Sequence, residues 1–185
     1  MSKKKQDILL KAIELFNEFG YVNVGVDKII SESKVAKMTF YKYFPSKESL
    51  IHESLKMRDS LIRESINNYL NNTHEQGINK IKIFFNWYED WFNREDFFGC
   101  MFIKVSDELP YDNEAFSIAM NHKKWATDKI LTILNDMDVK DSESLAFQIR
   151  FILDGAIVNE NLFKNKQSIK SAWRIVEELI SKRIN

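Results

Sequence analysis

The chain has 185 residues, 44% of them hydrophobic and 29% charged, with 27 basic side chains balanced by 27 acidic ones. This suits one compact unit or a small two-domain protein and excludes a disordered chain or a polycation. A single cysteine, Cys100, excludes an intrachain disulfide, as a reducing cytosol would favour. With no apolar run near the ~20 residues that span a bilayer, and no signal segment after Lys3-Lys4-Lys5, a cytoplasmic protein with no membrane partner is expected.

Residues 3–20 read as a first helix. Ile8, Leu9, Ala12, Ile13, Phe16 and Phe19 form one apolar stripe, and Gly20 stops it. Val26, Ile29 and Ile30 are spaced as the buried face of a second, short helix. The polar stretch Ser31-Glu32-Ser33-Lys34 follows, and Val35 puts one apolar side chain into the corner. A third short helix carries Met38, Phe40, Tyr41, Tyr43 and Phe44 and ends at Pro45. Two short helices around a tight turn, over about 26–45, have helix-turn-helix geometry, in which the second helix enters the major groove of double-stranded DNA. Phe40 and Phe44, four apart, would anchor that helix. Lys37, Thr39, Tyr41, Lys42 and Tyr43 bring donors that reach phosphates or base edges. Residues 1–50 hold nine lysines against six acids, a local net of +3, and Lys3, Lys4 and Lys5 form either a solvated tail or a further phosphate contact.

Ser46 is placed to cap a fourth helix running to about residue 70, with Glu48 in its first turn. Lys47 is unfavourable at that helix end, which argues that it is aimed at phosphate. Leu50, Ile51, Leu55, Ile62, Ile66 and Tyr69 form the expected inner face. A strongly apolar helix over 78–93 carries Ile81, Phe84, Phe85, Tyr88, Trp91 and Phe92, widened by Ile83 and Trp87. Another apolar piece spans 97–109. Helices over 112–136, 142–164 and 168–183 follow, with Trp125, Ile149, Ala156, Phe163, Ile169, Trp173, Val176 and Ile180 among their apolar positions. No segment reads as a strand, so the fold class is all-α.

Thr39-Phe40-Tyr41-Lys42-Tyr43-Phe44-Pro45-Ser46-Lys47-Glu48-Ser49-Leu50 resembles the T-[LF]-Y-x-[HY]-F-x-S-K-E-x-L signature of the TetR family of transcriptional regulators. Ala12-Ile13-Glu14-Leu15-Phe16 with Phe19-Gly20-Tyr21 is similar to that family's first helix. Val26-Asp27-Lys28-Ile29 is similar to the start of its second. Gly99-Cys100-Met101-Phe102 and Asp154-Gly155-Ala156 are weaker echoes further on. The sequence departs from the family in three places: Lys34 replaces a turn glycine, Met38 a small residue, and Val24-Gly25 a hydroxyl pair. A lysine holds positive φ only at a steric cost, whereas Gly25 still serves as an N-cap.

The resemblance implies about nine helices, with a helix-turn-helix DNA-binding domain over 1–46 and a helical ligand-binding and dimerisation domain over 47–185. DNA contact is expected from Gly25, Ala36, Lys37, Met38, Thr39, Tyr41, Lys42, Tyr43 and Lys47. A cavity for a small apolar or aromatic effector is expected among Trp87, Trp91, Phe102, His122, Trp125 and Phe151, with Asn121 or Asn159 as further polar contacts. A homodimer interface is expected from Ile152, Ala156, Phe163, Trp173 and Ile180, with Gly155 permitting close approach. Catalysis has little support. His52, His74 and His122 have no metal-ligand spacing, and there is neither a phosphate loop nor a nucleophile elbow. No enzyme, cofactor or metal is therefore expected. The leading reading is a ligand-responsive dimeric regulator, a repressor released from its operator by the effector. The alternative is a TetR-like dimer serving as a protein-interaction module with weak or lost DNA binding.

Overall fold

The computed structural model describes residues 2–184; Met1 and Asn185, the outer limits of the two expected domains, lie outside them. Among the described residues there are nine α-helices: α1 (Lys3–Phe19), α2 (Val26–Ser33), α3 (Lys37–Tyr43), α4 (Lys47–Asn71), α5 (Gly77–Phe92), α6 (Met101–Glu108), α7 (Asn113–Asn135), α8 (Ser142–Phe163) and α9 (Ser168–Ser181). The all-α, nine-helix expectation is met.

The helix ends follow local chemistry. Ser2 accepts a hydrogen bond from the Lys5 N–H, and Ser46 Oγ accepts one from the Ser49 N–H at 3.1 Å, as expected for the start of α4. Asp112 caps α7 through Ala115 N–H at 3.0 Å. α6 begins later than the apolar run over 97–109 suggests, because Gly99 at φ +83° breaks the chain just before it.

The chain packs as two compact units. The first takes residues up to Ile62 together with Cys100–His122, and the second Arg63–Gly99 together with the residues from Lys123 onward. In the first, Ile8, Leu9, Ala12, Phe16, Ile29, Phe40, Phe44, Leu50 and Leu55 are buried, as their spacing requires. Phe19 departs from its stripe. It is 42% exposed, and the Lys28 ammonium lies 3.7 Å from its ring centroid, an arrangement worth about 0.5–1 kcal/mol in the open.

In the second unit, Phe84, Trp87, Tyr88, Trp91, Phe92 and Phe97 form one continuous buried ring cluster. Its centroid separations include 5.6 Å for Trp87–Trp91 and 5.0 Å for Trp91–Phe97. Tyr69, read as inward, instead lies at the surface and donates its hydroxyl to Asp90 at 2.5 Å. A phenol that satisfies its hydroxyl at the surface has little reason to enter an all-apolar interior.

Candidate nucleic-acid interface

The site is built by a very short helix with one fixed side. Of the seven residues of α3, Phe40 is the one fully buried. Its ring lies 5.8 Å from that of Phe44, also fully buried, so the i, i+4 pair seats the helix as its spacing predicts. The opposite side is left to solvent: Ala36, Lys37, Met38, Tyr41 and Lys42 are exposed, and Thr39 and Tyr43 half-exposed. Lys34 and Lys42 have no ion-pair partner among the described residues, whereas Lys37 Nζ lies 3.3 Å from Asp27 Oδ1 across the motif. That pair is exposed on both sides and holds the lysine only weakly.

The corner between the two helices is made by Lys34. It sits at φ 54°, ψ 36° in the left-handed region, and its N–H returns to the Ile30 and Ser31 carbonyls. The steric cost foreseen for a lysine there is therefore present, about 1 kcal/mol for one residue. Gly25 is the N-cap of α2 at φ −81°, without a side-chain hydrogen bond, and a Cβ built there meets nothing within 4 Å. Ala36 caps α3, also without a side-chain bond.

The approach to α2 is held from two sides. Glu108, at the end of α6, accepts hydrogen bonds from the N–H groups of Tyr21 (2.5 Å) and Val22 (3.1 Å). Lys47 Nζ donates to the Val22 carbonyl at 3.3 Å. Gly20 is needed here for its backbone, at φ +82°, and a Cβ there, 2.6 Å from Glu108 Oε2, would make the carboxylate shift. Two further contacts join α6 to the same corner. Lys104 Nζ donates to Asn17 O at 2.5 Å, and the Tyr21 hydroxyl donates to Met101 O at 2.9 Å. Burial pushes the Tyr21 pKa well up, with Cys100 and Glu108 adding to it, so the phenol stays a neutral donor. Burial pulls the Lys104 pKa down against the opposing pull of Glu108 and Cys100.

Glu108 was not singled out from the sequence. It lies 87 residues from Tyr21, and no local pattern marks a carboxylate as the cap of a distant loop. The Lys47 ammonium, named from the sequence for a phosphate, has its Val22 contact within its own chain.

The residues named for an effector fall in both units. In the first, Phe102 stacks on His122 with centroids 3.8 Å apart, and His122 Nδ1 is 2.8 Å from Asp59 Oδ1. In the second, Trp87 and Trp91 belong to the ring cluster, with Trp87 Nε1 donating to Ser65 Oγ at 2.8 Å. Trp125 is half-buried beneath the Arg63 guanidinium, 5.1 Å from its centroid. Phe151 has to be withdrawn as a cavity wall. It is 55% exposed on the outward side of α8, edge-on to Phe147 at 4.6 Å. Of the two further polar contacts, Asn121 belongs to the first unit, and Asn159 Nδ2 donates to Ser168 Oγ at 2.8 Å in the second.

The residues named for a dimer face all lie in the second unit. Ile152, Gly155 and Ala156 line a groove between α8 and α9 together with Ala172 and Ile175, and Phe163 is 66% exposed. Ile180 is fully buried in its own chain, and Trp173 packs edge-on against Phe85 at 5.3 Å. Both belong to the inner stripe of α9, which is the stripe that periodicity finds first. Phe147, Val158, Leu162 and Ile175 are further apolar residues exposed on these two helices.

Residues 8–54 match the family described as "Bacterial regulatory proteins, tetR family". The chain is 28% identical over 159 residues to the uncharacterized HTH-type transcriptional regulator YuxN of Bacillus subtilis, covering 84% of this chain. It spans 53% of that relative's length. It is 17% identical to the HTH-type transcriptional regulator YjdC of Escherichia coli, over 96% of this chain and 93% of that one. Its fold is that of SCO4454, a TetR-family transcriptional regulator from Streptomyces coelicolor, with a TM-score of 0.90 and 21% identity over 98% of this chain and 96% of that one.

Proposed function

Since this chain belongs to the TetR family of transcriptional regulators, we propose that it is a dimeric DNA-binding regulator, and a repressor released by a small apolar or aromatic effector. The observation that carries the DNA half is the outward face of α3. Lys37, Met38, Tyr41 and Lys42 are turned to solvent there, while Phe40 and Phe44 fix the opposite side completely. Exposed donors at the start of a rigidly seated short helix are what direct readout in the major groove requires. Residues 1–46 supply this DNA-binding part and residues 47–185 the remainder. Gly25, Ala36, Thr39, Tyr43 and Lys47 complete the contact set.

A second copy of the chain is the proposed partner at the outward faces of α8 and α9. Two-fold symmetry would place two recognition helices on successive turns of double-stranded operator DNA, about 34 Å apart. The effector would bind better to the arrangement whose recognition helices do not match the operator, and linkage then weakens DNA binding. Trp87, Trp91 and Trp125, all in the second unit, are its candidate contacts; Phe102 and His122 are a separate candidate pair within the first. Among the described residues no helix is long and apolar enough to cross a membrane, and a cytoplasmic location belongs to this proposal.

The test is a selection of duplexes from random DNA followed by a mobility shift. Enrichment of an inverted-repeat site supports the reading. Salt-sensitive binding with no preferred sequence, or no binding, counts against it and favours the protein-interaction alternative.

A further inference from the structure

Among the exposed side chains of α3, Met38 is the one that carries no hydrogen-bond donor. It is the second residue of the helix and 88% exposed, and Tyr41 and Lys42 follow it on the same face at i+3 and i+4. Residues at the start of a recognition helix are those that reach base edges. The charged neighbours of Met38 carry the polar chemistry: Lys37 lies against Asp27 at 3.3 Å in an exposed pair, and Lys42 is an exposed ammonium with no ion-pair partner among the described residues. A thioether is only a weak acceptor, so Met38 has nothing to give a phosphate and little to give a base donor. The base edges of the major groove present one apolar group, the 5-methyl of thymine. An unbranched, polarizable side chain can be desolvated against that methyl and against little else there.

We propose that Met38 is a specificity-determining residue that packs on a thymine 5-methyl group in each operator half-site. The inference rests on the DNA-binding reading above and adds to it the base that this position selects. Cytosine at that step lacks the methyl and offers an amino donor that the sulfur accepts poorly. Met38 therefore favours thymine by apolar contact, independently of the salt-sensitive lysine contacts around it.

The experiment uses the duplex recovered by selection, with each thymine replaced in turn by deoxyuridine, which removes the methyl alone. Wild-type protein should lose about 3–10-fold in affinity at one thymine per half-site. Met38→Ala should bind the parent duplex more weakly by a similar factor and lose less than about 2-fold on the same replacement, while Met38→Leu should keep the discrimination. Indifference of the wild type to every replacement overturns the proposal. So does an equal loss in wild type and Met38→Ala, since the methyl would then act through DNA shape or another residue. Failure to recover any preferred duplex is a different outcome: it removes the DNA-binding reading, and this inference with it. Met38 is remote from the core, and unchanged helicity and melting of the two variants confine the readout to recognition.

Discussion

Helices α3 and α8 both turn apolar side chains to solvent, in opposite surroundings. On α3 a single methionine stands among lysines and a tyrosine, on a helix with one fully buried residue. On α8 the outward stripe runs through Phe147, Phe151, Val158 and Leu162, at the spacing of one helix face. The guanidinium of Arg150 lies 4.9 Å and 4.6 Å from the ring centroids of Phe147 and Phe151, held by Asp154 at 2.6 Å. A lone apolar group in a cationic field suits an anionic surface that carries occasional methyl groups. A long apolar stripe with two aromatic rings and a stacked arginine suits another protein surface, where aromatic residues and arginine concentrate. Exposure of apolar side chains is thus uninformative until the charge around it and the length of the patch are read with it.

The sharpest way to break the comparison is Val158→Glu, on the same exposed stripe but two turns along the helix from Arg150. A carboxylate desolvated without a partner in an apolar interface costs about 3–5 kcal/mol, enough to dissociate most dimers at micromolar concentration. Sedimentation should then find a folded monomer, and operator affinity should fall with it. A variant that stays dimeric moves the interface elsewhere. A charge at Ala156 is a poorer probe, because that residue is buried in its own chain and the fold would respond first.

Glu108→Ala should have the next largest effect, about 1–3 kcal/mol, because two N–H groups at the α1–α2 corner lose their acceptor. Amide exchange at Tyr21 and Val22 should quicken and operator affinity should drop, with the dimer intact. Unchanged exchange at both amides would mean that water replaces the carboxylate without cost. Smallest is Lys34→Gly, which relieves the left-handed corner and should raise stability by about 1 kcal/mol, read as a higher melting temperature. A loss of stability would show that the lysine side chain contributes more than its backbone costs.

What could be read from the sequence was local. The stripes of α1 and α4, the Phe40–Phe44 pair, the Ser46 cap and the positive φ of Lys34 all follow from spacings within two turns of chain. The outward face of α3 was readable for the same reason. Periodicity finds the inner stripe of a helix but does not say which other helix, or which other chain, covers the remainder. Periodicity therefore points to Ile180, which its own chain covers, and is silent on Phe147, Leu162 and Ile175, which are exposed. Phe151 was drawn into an aromatic cavity because aromatic density carries no direction. Glu108 acts across 87 residues, a distance over which sequence spacing carries no geometric information.

The central claim, that the outward face of α3 reads DNA in a two-fold assembly, is tested most directly by salt titration of operator binding for wild type and Lys42→Ala. Binding should be specific to the selected inverted repeat, with log affinity falling linearly with log salt at about 0.9 per phosphate neutralised. If Lys42 contacts phosphate, the variant should lower that slope by about one per half-site; if it contacts a base edge, it should cost about 1–3 kcal/mol at one position. Equal affinity, slope and sequence preference in wild type and Lys42→Ala would contradict the account, because the exposed cation of the helix that has no ion-pair partner among the described residues would then lie outside the interface.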